Sequence, residues 1–233
     1  MTTEEYQERV AGARRIVFFG GAGVSTESGI PDFRSVDGLY NRKYDVPPET
    51  ILSADYFYAH TDLFYKFYFD KMIFRSAKPN AAHKKLARWE CEGKLSAVIT
   101  QNIDGLHQAA GSKNVFELHG TTLKNHCIRC GKKYSLEEIC AQAPSVPKCD
   151  CGGTVKPDVV LYGEPLPSDA VRGAVDAIGK ADMLIIGGTS LSVYPAASFI
   201  GYYRGNEANL IVINKTHIDN FANQLNGNLG ELL

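Results

Sequence analysis

Short apolar runs that alternate with helical stretches are the feature of this chain that most restricts its fold. The runs lie at residues 15–20, 96–100, 115–118, 183–187 and 210–214. Because they lack a regular apolar–polar alternation, they are typical of strands buried on both faces of a parallel sheet. Helical patterns lie between them, at residues 80–92 and 168–180, and Ser168 after a proline fits a helix cap. This order predicts a doubly wound α/β sheet that binds ligands at the carboxyl ends of its strands.

Two stretches interrupt this pattern and are interpreted as insertions into the sheet. Residues 53–74 are helical in pattern and hold eight aromatic residues between positions 56 and 69. Such aromatic residues more often form a core than a ligand pocket. Residues 127–156 contain four clustered cysteines, with glycines and prolines but no long apolar run.

The composition excludes several classes of protein. With 25 basic and 26 acidic residues the net charge is −1, which argues against a general electrostatic grip on nucleic acid or an anionic membrane. No apolar run approaches the ~18 residues that cross a bilayer, and the acidic N-terminal segment is unlike a signal peptide. We therefore expect a cytoplasmic, reducing location, where the six cysteines are metal ligands or buried thiols rather than disulfides.

A glycine-rich turn follows the first predicted strand, with Gly21 and Gly23 ahead of an expected helix. Glycines in such a turn let backbone N–H groups approach a phosphate, and a helix N-terminus adds partial positive charge. The dinucleotide-binding pattern is incomplete, because Thr26 stands in place of the third glycine. The acidic ribose contact expected about 20 residues further on is also missing. The alternative interpretation is a tight turn that serves folding only.

The cysteines form two close pairs that indicate a metal site. Two residues lie between Cys127 and Cys130, one residue lies between Cys149 and Cys151, and 18 residues separate the pairs. Four thiolates complete the tetrahedral shell of Zn²⁺, so the predicted ion is structural. The alternative is a set of unrelated buried thiols. His126 lies beside Cys127, but four cysteines make it unnecessary as a ligand.

Polar side chains follow four of the predicted strands. They are found at residues 100–107, His119, residues 188–190 and residues 214–215. Because the carboxyl ends of parallel strands meet at one edge of a sheet, these side chains are expected to line one crevice. His119 is the candidate general base, since a neutral imidazole accepts a proton near physiological pH.

Taken together, these motifs resemble the sirtuins, the NAD-dependent protein deacylases. The similar segments are GAGVSTESGIPDFRS at 21–35, QNIDGLH at 101–107, His119 with Gly120, the four cysteines, KPDVVLYGE at 156–164, GTSLSVYPAA at 188–197 and INK at 213–215. The resemblance implies an α/β fold with a Rossmann-like NAD-binding domain made of residues 1–52, 75–120 and 157–233. It also implies a small domain, in which a helical insert at 53–74 joins a zinc-ribbon module at 121–156. Substrate would lie in the cleft between them.

The resemblance also assigns cofactor contacts. The residues expected to hold the phosphates, riboses or adenine of NAD are Ala22, Thr26, Arg34, Gln101, Gly188, Thr189, Ser190 and Asn214. Phe33, Ile103 and Asp104 are expected to line the nicotinamide pocket, where the Asp104 carboxylate can accept a hydrogen bond from the nicotinamide amide.

The reaction that the resemblance implies consumes NAD. The acyl oxygen of a modified lysine attacks C1′ of the nicotinamide ribose as nicotinamide leaves. His119 then acts as the base on a ribose hydroxyl, and Asn102 orients the ribose or a water. Water completes the path to free lysine and O-acetyl-ADP-ribose, while the zinc ion stays outside the chemistry.

An acetyl-lysine protein or peptide is the partner that the resemblance implies. It would add as a strand between residues 159–164 and 188–194, with Val193 beside the lysine stem. Relatives that prefer acidic acyl groups carry a tyrosine and an arginine where this chain has Phe67 and Asp70. Because an aspartate repels an acidic group, we expect an acetyl or another uncharged acyl group. We expect a monomer that binds neither nucleic acid nor membrane directly.

Three other functions stay open on the sequence. An ADP-ribosyltransferase or NAD glycohydrolase would use the same pocket and release nicotinamide without an acylated peptide. A non-catalytic NAD- or ADP-ribose-binding module would leave His119 and Asn102 without a role. A dehydrogenase is disfavoured, because the acidic ribose contact is missing.

Overall fold

The computed structural model describes residues 1–32 and 45–233. Its strands are β1 (Ile16–Gly20), β2 (Leu95–Thr100), β3 (Val115–Glu117), β4 (Gly120–Cys127), β5 (Lys133–Ser135), β6 (Val155–Val159), β7 (Met183–Gly187), β8 (Leu210–Asn214) and β9 (Gln224–Asn226). Its α-helices are α1 (Thr3–Gly12), α2 (Pro48–Ile51), α3 (Ala54–Ala59), α4 (Thr61–Lys71), α5 (Ala81–Cys91), α6 (Leu106–Ala109), α7 (Leu136–Cys140), α8 (Ser168–Lys180) and α9 (Leu229–Leu232). None of the helices in these two ranges is long and apolar enough to cross a membrane.

Six strands form one large sheet, in the order β3-β2-β1-β7-β8-β9. Every neighbouring pair in it is parallel. The strand order reverses between β1 and β7, which is where a doubly wound sheet opens a crevice for ligands. The predicted doubly wound parallel sheet is therefore confirmed. The five predicted strands are all present, whereas β9 was not predicted.

The large sheet is covered on both faces, which explains why its strands lack polar alternation. Ile16 and Phe18 of β1 point to the layer that contains α1, α5 and α9. Val17 and Phe19 point to the opposite layer, which contains α8 and the 3-10 segment Ala196–Tyr202. Since neighbouring side chains of a strand point to opposite faces, both sets must be apolar to be buried.

Local signals fix the ends of the helices around the sheet. Asn80 caps α5, accepting a hydrogen bond from the backbone N–H of His83. The α8 helix has the predicted bounds, but Ser168 is its first residue and Pro167 occupies the cap position. The expectation that Ser168 caps this helix is therefore wrong. Proline is tolerated there because the N–H of a cap residue takes no part in the hydrogen bonds of the helix.

The second part of the molecule, here called the small subdomain, consists of α2–α4, α7 and the antiparallel sheet β5-β4-β6. Its core is one apolar cluster, in which Phe57 and Phe64 pack edge to face with ring centroids 4.9 Å apart. The Tyr65 hydroxyl donates to the Val155 carbonyl, which joins α4 to β6. The aromatic residues between 56 and 69 are thus mainly core. The residue boundaries of the two domains stay a prediction.

Candidate functional site

A cleft of about 1550 Å³ lies between the carboxyl edge of the large sheet and the small subdomain. The predicted site residues that line it are Ala22, Thr26, Gln101, Asn102, Ile103, Asp104, His119, Gly188, Thr189, Ser190 and Asn214. They come from the segments that follow β1, β2, β3 and β7 and from the end of β8, so one edge of the sheet collects them. Phe33 and Arg34 lie outside the described residues.

His119 stands between β3 and β4, and its ring is oriented by the backbone. Its Nδ1 lies 2.9 Å from the carbonyl oxygen of Gln101. Because a carbonyl can only accept, Nδ1 carries the proton and Nε2 is left with a lone pair. Burial lowers the pKa of His119, and the Gln101 carbonyl offsets part of that effect. The imidazole is therefore neutral near pH 7 and suited to act as a base.

A short hydrogen-bonded chain links three polar residues in the cleft. The Asn102 Nδ2 donates to Ser25 Oγ at 3.0 Å, and the Ser25 hydroxyl donates to Asp104 Oδ2 at 2.6 Å. The other oxygen of Asp104 accepts from the backbone N–H of Leu106 at 2.9 Å. The carboxylate is thus held in place and still has lone pairs for a ligand amide. Ser25 was missed as a site residue, although it directly follows the glycine turn.

The glycine turn after β1 packs against the turn after β7. The Gly23 amide donates to the Gly188 carbonyl at 2.8 Å, and a Cβ added at Gly23 would lie 2.7 Å from Gly188 Cα. In the described residues the turn leads into the 3-10 segments Ala22–Val24 and Thr26–Ser28, not into an α-helix. The expected helix N-terminus is therefore wrong, because Gly29 takes a left-handed conformation and Pro31 follows it.

Side-chain amides connect the ends of three strands in the cleft. Gln101 Nε2 donates to Thr189 Oγ1 at 3.0 Å, and Asn214 Nδ2 donates to the Thr189 carbonyl at 2.8 Å. Thr189 and Asn214 are both buried. Amides, hydroxyls and a carboxylate at the strand ends are the groups that bind the ribose hydroxyls and the amide of a dinucleotide. The residues present therefore fit NAD.

The four cysteines fit a tetrahedral metal ion. The Sγ atoms of Cys127, Cys130, Cys149 and Cys151 all lie within 4.8 Å of one another. Cys127 is 3.6 Å from Cys151, and Cys130 is 3.6 Å from Cys149. Thiolates about 2.3 Å from a tetrahedral Zn²⁺ stand about 3.8 Å apart, so the spacing suits zinc. Gly153 keeps the site compact, because a Cβ there would lie 2.6 Å from the Cys127 sulfur.

Comparison with known proteins decides the family. A sequence model described as the Sir2 family matches residues 21–195 of the 233-residue chain. The chain belongs to the Sir2 family. This is the sirtuin family that the motifs predict, so the prediction is confirmed.

Curated and solved Sir2 relatives cover nearly the whole chain. The "NAD-dependent protein deacetylase" of Clostridium acetobutylicum (strain ATCC 824) is 55% identical over 98% of this chain and 95% of its own. The protein of that name in Thermotoga maritima is 42% identical over 95% of this chain and 91% of its own. A solved structure described as "Sir2-p53 peptide-NAD+" has a TM-score of 0.86 at 39% identity, over 99% of this chain and 95% of that one.

The Sir2 cleft includes residues from the C-terminal segment that the sequence did not place. Thr216, Gly227 and Leu229 line it, beside Lys215, which was predicted at this edge. Gly227 reaches the cleft because β9 pairs with β8, and its amide donates to the Asn214 carbonyl at 3.0 Å. The sequence offered one signal for this segment, the glycine at position 227. That signal is weak unless the pairing of β9 with β8 is known.

The two positions compared for acyl preference have different surroundings. Phe67 is buried in the aromatic cluster of the small subdomain. Asp70 lines the cleft, and its carboxylate lies 2.8 Å from the Lys71 ammonium. Of the two positions, Asp70 is therefore the one that brings charge to the cleft.

Proposed function

We propose that this cleft removes acetyl groups from lysine side chains of proteins and consumes NAD in the reaction. Membership of the Sir2 family and relatives named NAD-dependent protein deacetylase support the activity. His119 is the observation that carries the proposal at residue level, because its neutral imidazole has an available Nε2 lone pair at the sheet edge. A module that only binds a nucleotide has no use for such a base.

His119 and Asn102 are assigned the roles that touch the reacting groups. When bound, NAD supplies the nicotinamide leaving group and the ADP-ribose that accepts the acyl group. The His119 Nε2 takes a proton from a ribose hydroxyl, while the Gln101 carbonyl holds the imidazole in the required tautomer. Asn102, fixed through Ser25, orients the ribose or a water beside the reacting carbon.

The other residues bind and orient the cofactor. Ala22, Thr26, Gln101, Gly188, Thr189, Ser190 and Asn214 are assigned to its phosphates, riboses and adenine. Ile103 and Asp104 are assigned to the nicotinamide. The Asp104 carboxylate would accept a hydrogen bond from the nicotinamide amide. The four cysteines hold a structural zinc ion, because a shell of four thiolates leaves no position for substrate.

The substrate is an acyl-lysine protein or peptide held between residues 159–164 and 188–194. Solved relatives contain a p53 peptide with NAD and a propionylated peptide, which supports a peptide in this cleft. The Asp70 carboxylate favours an uncharged acyl group over an acidic one, and the Lys71 ammonium 2.8 Å away offsets part of that charge. The cytoplasmic location, the monomeric state and the absence of direct nucleic-acid binding stay predictions.

Nicotinamide release tests the proposal directly. The full chain is incubated with NAD and an acetyl-lysine peptide, a succinyl-lysine peptide, the unmodified peptide or none. We expect release with the acetyl peptide, in a one-to-one ratio with deacetylated lysine, and at least about tenfold less with the succinyl peptide. Equal release without acylated peptide would identify a glycohydrolase or a transferase. Bound NAD with no release under any condition would identify a binding module.

A further inference from the structure

Lys156 is a charged residue in an unusual place. It belongs to β6, and only 6% of its surface is exposed. Its ammonium donates to the Val159 carbonyl at 3.2 Å and lies 3.1 Å from Glu164 Oε2. It also stands 6.0 Å from the centroid of the buried Phe57 ring. A buried ammonium is strongly unfavourable unless it is paired, so Glu164 offsets much of the cost of burying Lys156.

Glu164 ends the segment at residues 159–164, here called the wall segment, all of which lines the cleft. The same Oε2 atom that pairs with Lys156 accepts from the Leu161 backbone N–H at 2.9 Å. The Glu164 amide donates to the Leu161 carbonyl at 2.9 Å. The ion pair therefore closes a tight turn at the end of the wall segment.

Backbone hydrogen bonds connect the wall segment to both sides of the cleft. The Val160 amide donates to the His119 carbonyl at 2.9 Å. The Tyr162 amide donates to the Leu52 carbonyl, and the Ala54 amide donates to the Tyr162 carbonyl, both at 2.9 Å. A change in the turn closed by Glu164 would thus reach both the helical insert and the backbone of the candidate base.

We propose that the Lys156–Glu164 ion pair is a positioning device that sets the wall segment for the acyl-lysine peptide. The proposal rests on the proposed function, since it takes that peptide as the ligand of the cleft. Neither residue is assigned a chemical step. The pair acts through the backbone of residues 159–164, along which the peptide is proposed to lie.

Single and double variants of the ion pair distinguish a positioning role from general stabilisation. Replacing one member of a buried pair leaves an unpaired charge or a lost acceptor, whereas replacing both by uncharged groups of similar size is often tolerated. Glu164→Gln keeps an oxygen for the Leu161 amide but removes the counter-charge of Lys156. Lys156→Met with Glu164→Gln removes both charges and keeps that oxygen.

Binding and kinetics of the full-length variants test the proposal. We expect Glu164→Gln to raise the peptide Kd and KM about tenfold, while the NAD Kd stays within twofold and the zinc content is unchanged. The double variant should recover at least part of the peptide affinity. Asp176→Asn, which removes an exposed ion pair with Lys180 on α8, is the matched control and should change neither constant.

Peptide binding is measured by fluorescence anisotropy with a labelled acetyl-lysine peptide, which needs no turnover. Equal peptide affinity in the wild-type chain and in Glu164→Gln would overturn the positioning role alone. A parallel loss of NAD and peptide affinity in both the single and the double variant would also overturn it, since that indicates general stabilisation. If the wild-type chain binds and turns over no acylated peptide, the proposed function fails as well.

Discussion

The two sides of the cleft are held together by different forces. On the NAD side, residues Ile16, Val17, Phe18 and Phe19 of β1 are 0% exposed between two layers of helices. On the proposed peptide side, the small subdomain has one apolar cluster and a four-sulfur site, and a partly buried ion pair lies at its border. Apolar burial needs no ligand, whereas thiolates and buried charges depend on their partners. Perturbations of metal or charge should therefore reach the peptide side first.

Loss of the zinc ion is expected to have the largest effect in free energy and to act on the small subdomain only. Structural zinc sites contribute about 10–16 kcal/mol to small folded units. Cys130→Ala should therefore lose the metal and lower deacetylation at least about 100-fold, since the wall segment continues from β6 of the same small sheet. NAD affinity should persist, because the large sheet keeps its core.

Metal analysis, calorimetry with NAD and the peptide assay measure these three quantities. Cys91→Ala is the matched control, because Cys91 is an exposed cysteine at the end of α5. Full deacetylation by a zinc-free chain would show that the two sides do not differ in this way.

Removal of the base should give the next largest effect. It should lower the rate of the reaction and leave NAD binding intact. His119→Tyr is expected to lower kcat by about 10²–10⁴, the usual contribution of a general base. NAD should still bind, because the strand-end amides of Gln101 and Asn214 are unchanged. Rates with acetyl peptide and NAD binding isotherms measure both quantities, with the exposed His217→Ala as the control. Undiminished turnover in His119→Tyr would exclude this residue as the base.

Low pH is expected to destabilise the domain of the large sheet, because two histidines are buried there. His83 and His107 are buried, with ring centroids 4.7 Å apart, and the described chain offers no hydrogen-bond partner to either nitrogen of His107. Burial lowers the pKa of His83 to about 4 and that of His107 to about 3. The unfolded chain, with ordinary values near 6.5, thus binds more protons below pH 6.5. Stability is complete above that pH and is lost as the pH falls towards the folded values.

The loss should amount to about 2 kcal/mol per histidine between pH 7.5 and pH 5.0. Urea unfolding at the two pH values measures it. His107→Phe should remove its own share of about 2 kcal/mol from the difference, whereas His217→Phe at an exposed position should leave the difference unchanged. A difference that is the same in all three chains would assign the acid sensitivity to other groups.

The same contrast explains what the sequence could predict. Strands β1, β2, β7 and β8 were predicted because burial on both faces demands apolar runs such as residues 183–187, and the short β3 was predicted from its run at residues 115–118. The short β9 was not, because Gln224–Asn226 is mostly polar and is a strand only through its pairing with β8. In the small subdomain the cysteine spacing predicted the metal site, but nothing local indicated β4, whose register is interrupted between Gly120 and Asn125.

The site residues also differ in how far the sequence could predict them. Residues at strand ends, such as His119 and Asn102, were predictable because parallel topology alone brings them together. Ser25, Gly227 and Leu229 were not, since their places depend on contacts between distant segments. The 3-10 geometry after β1 was also unpredictable, because it depends on the left-handed Gly29 and on the contact of Gly23 with Gly188.

That packing has a consequence for redesign of the enzyme. Gly23 and Gly188 meet backbone to backbone, and a Cβ added at Gly188 would lie 2.4 Å from the Val24 nitrogen. Even alanine at either position would push the ends of β1 and β7 apart. Attempts to adapt the chain to a modified dinucleotide should keep these two glycines, keep Thr26, whose hydroxyl donates to the Gly23 carbonyl at 3.1 Å, and vary Ser190 instead. Substitutions at Ser190 can change the shape of the pocket without separating Gly23 from Gly188.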